Sequence, residues 1–162
     1  MLRLIAVISL MCFSGLTVNA DESTPTESSN DVRGQQLASY LSGKKFVGRF
    51  TVDGSTKFDP KVEEYVISNC EKMPADDMYR LKARIKYGNV DQEVPLEIKI
   101  LFAGETPVIT LDSMWIPGMG TFDARVLIRR DRYSGTWQHD AKGGHLFGML
   151  EVAEADEDED EE

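Results

Sequence analysis

From Lys45 onward, apolar and polar residues alternate with a period of two, the mark of strands that bury one face. The first such run is Phe46–Val52, closed by the turn pair Asp53-Gly54. A second strand is expected over Glu63–Met73, ended by Pro74-Ala75-Asp76-Asp77. Six more follow over Met78–Tyr87, Glu93–Phe102, Pro107–Ile116, Thr121–Arg130, Arg132–His139 and His145–Val152. Their separators are Gly88–Gln92, Ala103–Thr106, Pro117–Gly120, Asp131 and Asp140–Gly144, all short and mostly containing glycine. Strands joined by short turns make an antiparallel meander. Ahead of it the spacing is helical. Asp31–Ser42 places Leu37, Ala38 and Leu41 on one face, with Asn30 or Asp31 as cap and Gly43 as stop.

The meander has an internal test, because a one-residue slip would turn every side chain to the other face. Pairing Tyr79 with Ile100 also pairs Leu81 with Ile98, Ala83 with Leu96 and Ile85 with Val94. The opposite face then pairs Lys86 with Glu93 and Lys82 with Glu97. The next turn brings Ile100 to Ile109, Ile98 to Leu111 and Val94 to Trp115. Beyond it Trp115 meets Phe122, Leu111 meets Val126 and Ile109 meets Ile128. Ile128 then meets Tyr133, Val126 meets Gly135 and Ala124 meets Trp137. The last hairpin brings Trp137 to Leu146 and Gly135 to Gly148. One apolar face persists throughout, and agreement across levels is evidence of a single fold.

Such a sheet can fold over as a sandwich or curl until its first and last strands meet. Eight meander strands in this length favour closure. The expected fold class is all-β: an eight-stranded antiparallel meander forming an up-and-down, lipocalin-like barrel, with one short N-terminal helix. Gly48, Gly135 and Gly148 would ease the curvature.

Charge sharpens the domain limits. The net charge of -10 is carried by the ends. Residues 31–150 hold 17 Lys and Arg against 16 Asp and Glu, whereas residues 151–162 hold nine acids and no base. This balance speaks against a basic nucleic-acid binder. Residues 21–30 read as a polar, disordered leader and residues 153–162 as a disordered acidic tail, because like charges repel. Residues 1–20 read as a secretory signal peptide: Arg3, the apolar run Leu4–Phe13, and Val18-Asn19-Ala20 before a cut after Ala20. The expected location is secreted or periplasmic, with no transmembrane segment in the processed chain. Processing would leave Cys70 as the lone cysteine, read as a small residue on a strand.

Candidate chemistry is sparse. No nucleophile elbow, phosphate loop or His-Glu-x-x-His occurs. Nothing calls for a cofactor. His139, Asp140 and His145 flank one turn and offer zinc-type ligands. Asp112 and Asp123 face outward on neighbouring strands, where a cross-strand ion pair with Arg125 is simpler than an acid pair. Arg80, Lys82, Arg84 and Lys86 form a basic ladder that could meet an extracytoplasmic polyanion. The inward aromatics Tyr79, Trp115, Phe122, Tyr133 and Trp137 would line a barrel mouth for a small apolar ligand or fill the core.

Tyr133-Ser-Gly-Thr-Trp-Gln-His139, with Gly143-Gly-His-Leu-Phe-Gly148, Gly104–Leu111 and Ile116–Val126, resembles a family of uncharacterised secreted bacterial β-rich proteins. The resemblance covers about residues 43–150 and implies export and a β-rich domain, with no catalytic residues. Gly135-Thr136-Trp137 is also similar to the Gly-x-Trp of lipocalins, there on the first strand. The sequence thus reads as a non-enzymatic exported binding or interaction module. Its alternative is a filled barrel that meets a polyanion or protein through its outer basic strand, and a His-dependent metal enzyme ranks below both.

Overall fold

The structure is a computed structural model that describes residues 29–154 except Lys57. The expected signal peptide, most of the polar leader and nearly all of the acidic tail lie outside the described residues. Helix α1 spans Ser29–Leu41. Eight strands follow: β1 (Lys44–Phe50), β2 (Lys61–Lys72), β3 (Met78–Tyr87), β4 (Val90–Ala103), β5 (Thr106–Ile116), β6 (Gly120–Arg129), β7 (Arg132–His139) and β8 (Lys142–Val152). Each pairs antiparallel with the next, and β1 pairs with β8 from Lys44–Val152 to Phe50–Leu146, so the barrel is closed. Closure pairs the first strand with the last, so neither is left as a free outer edge. Among the described residues no helix is long and apolar enough to cross a membrane.

The helix begins two residues earlier than the sequence suggests, so Asn30 lies inside it rather than in the leader. Its apolar face is the expected one. Leu37, Ala38 and Leu41 are buried in one cluster with Cys70, Tyr79 and Ile100, closing one end of the barrel. Gly43 ends the helix at φ 73°, and its N–H donates to the Ile67 carbonyl at 2.8 Å.

The inward set of β3 and β4 is as expected, but its pairing is displaced by two residues. Tyr79 lies opposite Ile98, Leu81 opposite Leu96 and Ala83 opposite Val94. The ladder continues to Tyr87–Val90, so the turn is only Gly88-Asn89, with Gly88 at φ 53°. The last hairpin shows the same correction: Asp140-Ala141 is the turn, and Trp137 faces Gly144 rather than Leu146. A displacement of two preserves which face each residue occupies. Between β6 and β7 the expected partners hold, with Ile128 opposite Tyr133 and Ala124 opposite Trp137.

Strand β5 breaks the pattern. Ile109 pairs with Val126 and Leu111 with Ala124, and then a bulge at Asp112–Ser113 inserts a residue. Ser113 takes φ 49°, and its N–H donates to the Asp123 carboxylate at 2.8 Å. The extra residue changes the phase of everything after it. Met114 now pairs with Phe122, and Trp115, expected inside, is 66% exposed on the outer face. The β4–β5 ladder is also short, running only from Lys99–Thr110 to Ala103–Thr106. Beyond it the wall is completed by Val94, Ile116 and Met119 packing in one cluster, and by Gln92 Nε2 donating to the Pro117 carbonyl at 2.9 Å.

Candidate functional site

The barrel interior contains a built polar group that the alternation pattern does not single out. Glu63, near the start of β2, is 1% exposed. It lies on a row that crosses five strands: Tyr133 pairs with Gly148, Gly148 with Gly48, Gly48 with Glu63, and Glu63 with Tyr87. The two positions between Tyr133 and Glu63 carry no side chain, and this is required. A Cβ at Gly48 would overlap the Tyr133 hydroxyl, and one at Gly148 would meet the Tyr133 ring. Tyr133 therefore lies across β8 and β1 and reaches β2, where its O–H donates to Glu63 Oε1 at 2.9 Å. The Tyr65 O–H donates to Oε2 at 2.8 Å. Phe46 packs on the Tyr133 ring, with centroids 5.1 Å apart.

Burial raises the Glu63 carboxyl above its ordinary value, and the two hydroxyl bonds partly oppose that shift. The same burial, and then the neighbouring carboxylate, drive the Tyr65 and Tyr133 phenols well above theirs, so both remain donors. A carboxyl buried in this way must be hydrogen-bonded, and each oxygen here has its donor.

Beside this brace is an apolar cavity of about 180 Å³. Its walls include Ile67, Leu81, Ile98 and Val126, and toward the end opposite the helix Met119, Phe122 and Trp137. Tyr65 and Tyr133 contribute to the lining, and Asp123 is the one charged residue in it. Near the same end Phe50 makes edge contacts with Tyr87 and Trp137, at centroid distances of 6.2 and 5.7 Å. The Trp137 indole N–H donates to the Thr51 carbonyl at 3.1 Å. A cavity of about 150 Å³ with an apolar lining stays dry and admits a benzene-sized molecule.

Of the five aromatics proposed from sequence, Phe122, Tyr133 and Trp137 meet at this cavity. Tyr79 does not; it is buried under α1 at the closed end. Trp115 is turned outward by the β5 bulge. Sequence alternation carried a usable signal for Glu63, since Glu63, Tyr65 and Ile67 share one phase of β2, but a charged residue near a strand end reads as exposed.

The remaining candidates are largely engaged. Arg80 pairs with Glu97 at 2.9 Å, Lys82 with Glu93 at 2.9 Å and Arg84 with Asp91 at 2.7 Å, so most of the basic ladder is neutralised in place. Lys86 lies opposite Asp91. Arg125 binds Asp112, the expected cross-strand pair, while Asp123 caps the bulge. His139 points inward and stacks on Phe122 at 4.4 Å, with Asp140 3.4 Å away. His145 lies on an exposed outward position of β8, so the two imidazoles do not converge. Among the described residues no group of three or more metal-ligating side chains comes together. Cys70 is buried, and burial pushes its thiol up to about 12, which keeps it protonated and unreactive. Comparison with protein-family models gives no match, and no curated protein matches the chain.

Proposed function

We propose that this protein is an exported binding module that holds a small apolar ligand inside the barrel. The observation that carries the reading is the apolar cavity of about 180 Å³. A packed interior leaves few voids larger than a water molecule, so an apolar void of this size is unusual. It suits a single aromatic ring or a short alkyl chain. Trp137 and Phe122 form its reporting edge, and α1 shuts the opposite end. Export rests on the signal-like residues 1–20, and the binding role needs no catalytic group.

The test uses toluene as probe and Trp137 as reporter, in a Trp115→Phe background. Saturable change in Trp137 emission and a rise in melting temperature with toluene are expected. Ala83→Leu, which fills the cavity from a lining position, should abolish both while leaving the fold intact. A melting temperature unmoved by saturating toluene, together with unchanged emission, would refute the reading.

A further inference from the structure

The outer wall opposite the neutralised ladder carries a different chemistry. Leu127, Phe147 and Met149 are each 43% exposed there. The register puts Leu127, Ser134 and Phe147 in one row and Arg129, Arg132 and Met149 in the next. Arg130 follows in the turn, and these residues line one shallow surface hollow. Among the described residues no carboxylate forms an ion pair with Arg129, Arg130 or Arg132. Asp131, beside Arg130 and Arg132 in sequence, is already taken: it accepts from the Tyr40 hydroxyl at 2.7 Å and from Lys44 at 3.5 Å. The barrel satisfies Arg80, Arg84 and Arg125 with carboxylates but leaves this trio open.

The sequence carries a run of anions beyond the last strand. The Leu150 N–H donates to the Asp131 carbonyl at 2.8 Å, so β8 runs past the turn bearing Arg130, and the Ala153 N–H then donates to the Gly43 carbonyl at 2.8 Å. At the next residue, Glu154, begins a segment in which only Ala155 is not acidic, running to Glu162. At about 3.3 Å per extended residue this segment spans roughly 30 Å, enough to return along the neighbouring strands. Tethering keeps its carboxylates at roughly millimolar effective concentration.

We propose that the acidic segment 154–162 docks in cis on Arg129, Arg130 and Arg132 and screens this face from anionic partners. The ladder on β3 is the poorer berth, because three of its cations already hold carboxylates. The contact is electrostatic and exposed, so salt releases it once the screening length falls to a few ångströms.

The experiment compares amide spectra of the processed chain, a chain ending at Ala153, and an Arg129→Gln/Arg130→Gln/Arg132→Gln variant. At low salt, truncation should shift resonances over Arg129–Ser134 and Phe147–Met149, and about 0.5 M NaCl should reproduce those shifts in the full chain. The triple variant should show no shift on truncation; if it does not fold, Arg132→Gln alone should reduce the shift. On heparin, used as an anionic probe, the truncated chain should elute at higher salt than the full chain, and the arginine variants should close that gap. Superimposable low-salt spectra of the full and truncated chains would overturn the proposal, as would shifts centred on Arg80–Lys86.

Discussion

Tyr133→Phe tests the brace inside the barrel with the loss of a single oxygen. The ring still covers Gly48 and Gly148, so packing is kept, but Glu63 Oε1 loses its donor. A hydrogen bond to a charged group contributes about 1.5–3 kcal/mol, and here the acceptor is only 1% exposed. We expect a loss of about 2 kcal/mol at neutral pH by urea unfolding, or roughly 8 °C in melting temperature for a domain of this size. The pH dependence gives a second readout. Glu63 is raised in the fold, so between the unfolded value of about 4.3 and its higher folded value the native state binds more protons than the unfolded one. Stability therefore falls as pH rises through that window, by about 1.4 kcal/mol for each step of one in pH that the window spans, and the penalty is absent below it. Removing the Tyr133 donor lifts the folded value further and extends the falling limb upward. Glu63→Gln should flatten the limb, and in its background the cost of Tyr133→Phe should shrink to about 1 kcal/mol, the size of a neutral bond. If the two substitutions add within about 0.5 kcal/mol, or Tyr133→Phe costs less than that alone, the hydrogen bond does not carry the energy assigned to it.

Three further outcomes follow from the packing, and one from burial of the thiol. Gly135→Ala places a Cβ against the Arg125 carbonyl on β6 and should destabilise by about 1–3 kcal/mol, read as a lower urea midpoint at unchanged slope. Trp115→Ala should stay within about 0.5 kcal/mol of the parent, since the ring is 66% exposed. Trp137→Ala, which loses the Phe50 contact and the bond to Thr51, should cost about 3–5 kcal/mol in the same assay. The buried Cys70 thiol should resist iodoacetamide at pH 8 in the native protein and react only as fast as the barrel opens; rapid labelling in native buffer would contradict its burial.

Strand order, the inward face of most strands and the apolar face of the helix could be read from the chain because each follows from a period: two for the strands, 3.6 for Leu37, Ala38 and Leu41. Pairing partners were less legible. A two-residue turn over Gly88-Asn89 and a four-residue loop over Gly88–Asp91, which would set Lys86 opposite Glu93, leave the same faces buried, so alternation alone does not choose between them. The β5 bulge left no periodic trace before Trp115, and its cause is tertiary: the Asp123 carboxylate on β6 captures the Ser113 N–H. Pro95, midway along β4, is a sign in hindsight, because proline favours strand positions whose N–H has no ladder partner. It lies where the β4–β5 ladder has stopped. The cavity was the least legible feature, since alternation says which side chains point inward and not whether they meet.

The pairing of position 48 with position 148 also sets the order in which this chain can assemble. The hairpin β3–β4 closes over two residues and can form from local sequence alone. The β1–β8 junction needs both ends of the domain, and non-local pairing carries the larger loop-closure cost and the slower rate. The Glu63 carboxylate, on the second strand, stays without its Tyr133 partner until that junction is made. A chain still emerging from synthesis thus carries an exposed acid that is hydrated and inexpensive, and the barrel takes it out of water only when the last strand arrives to enclose it.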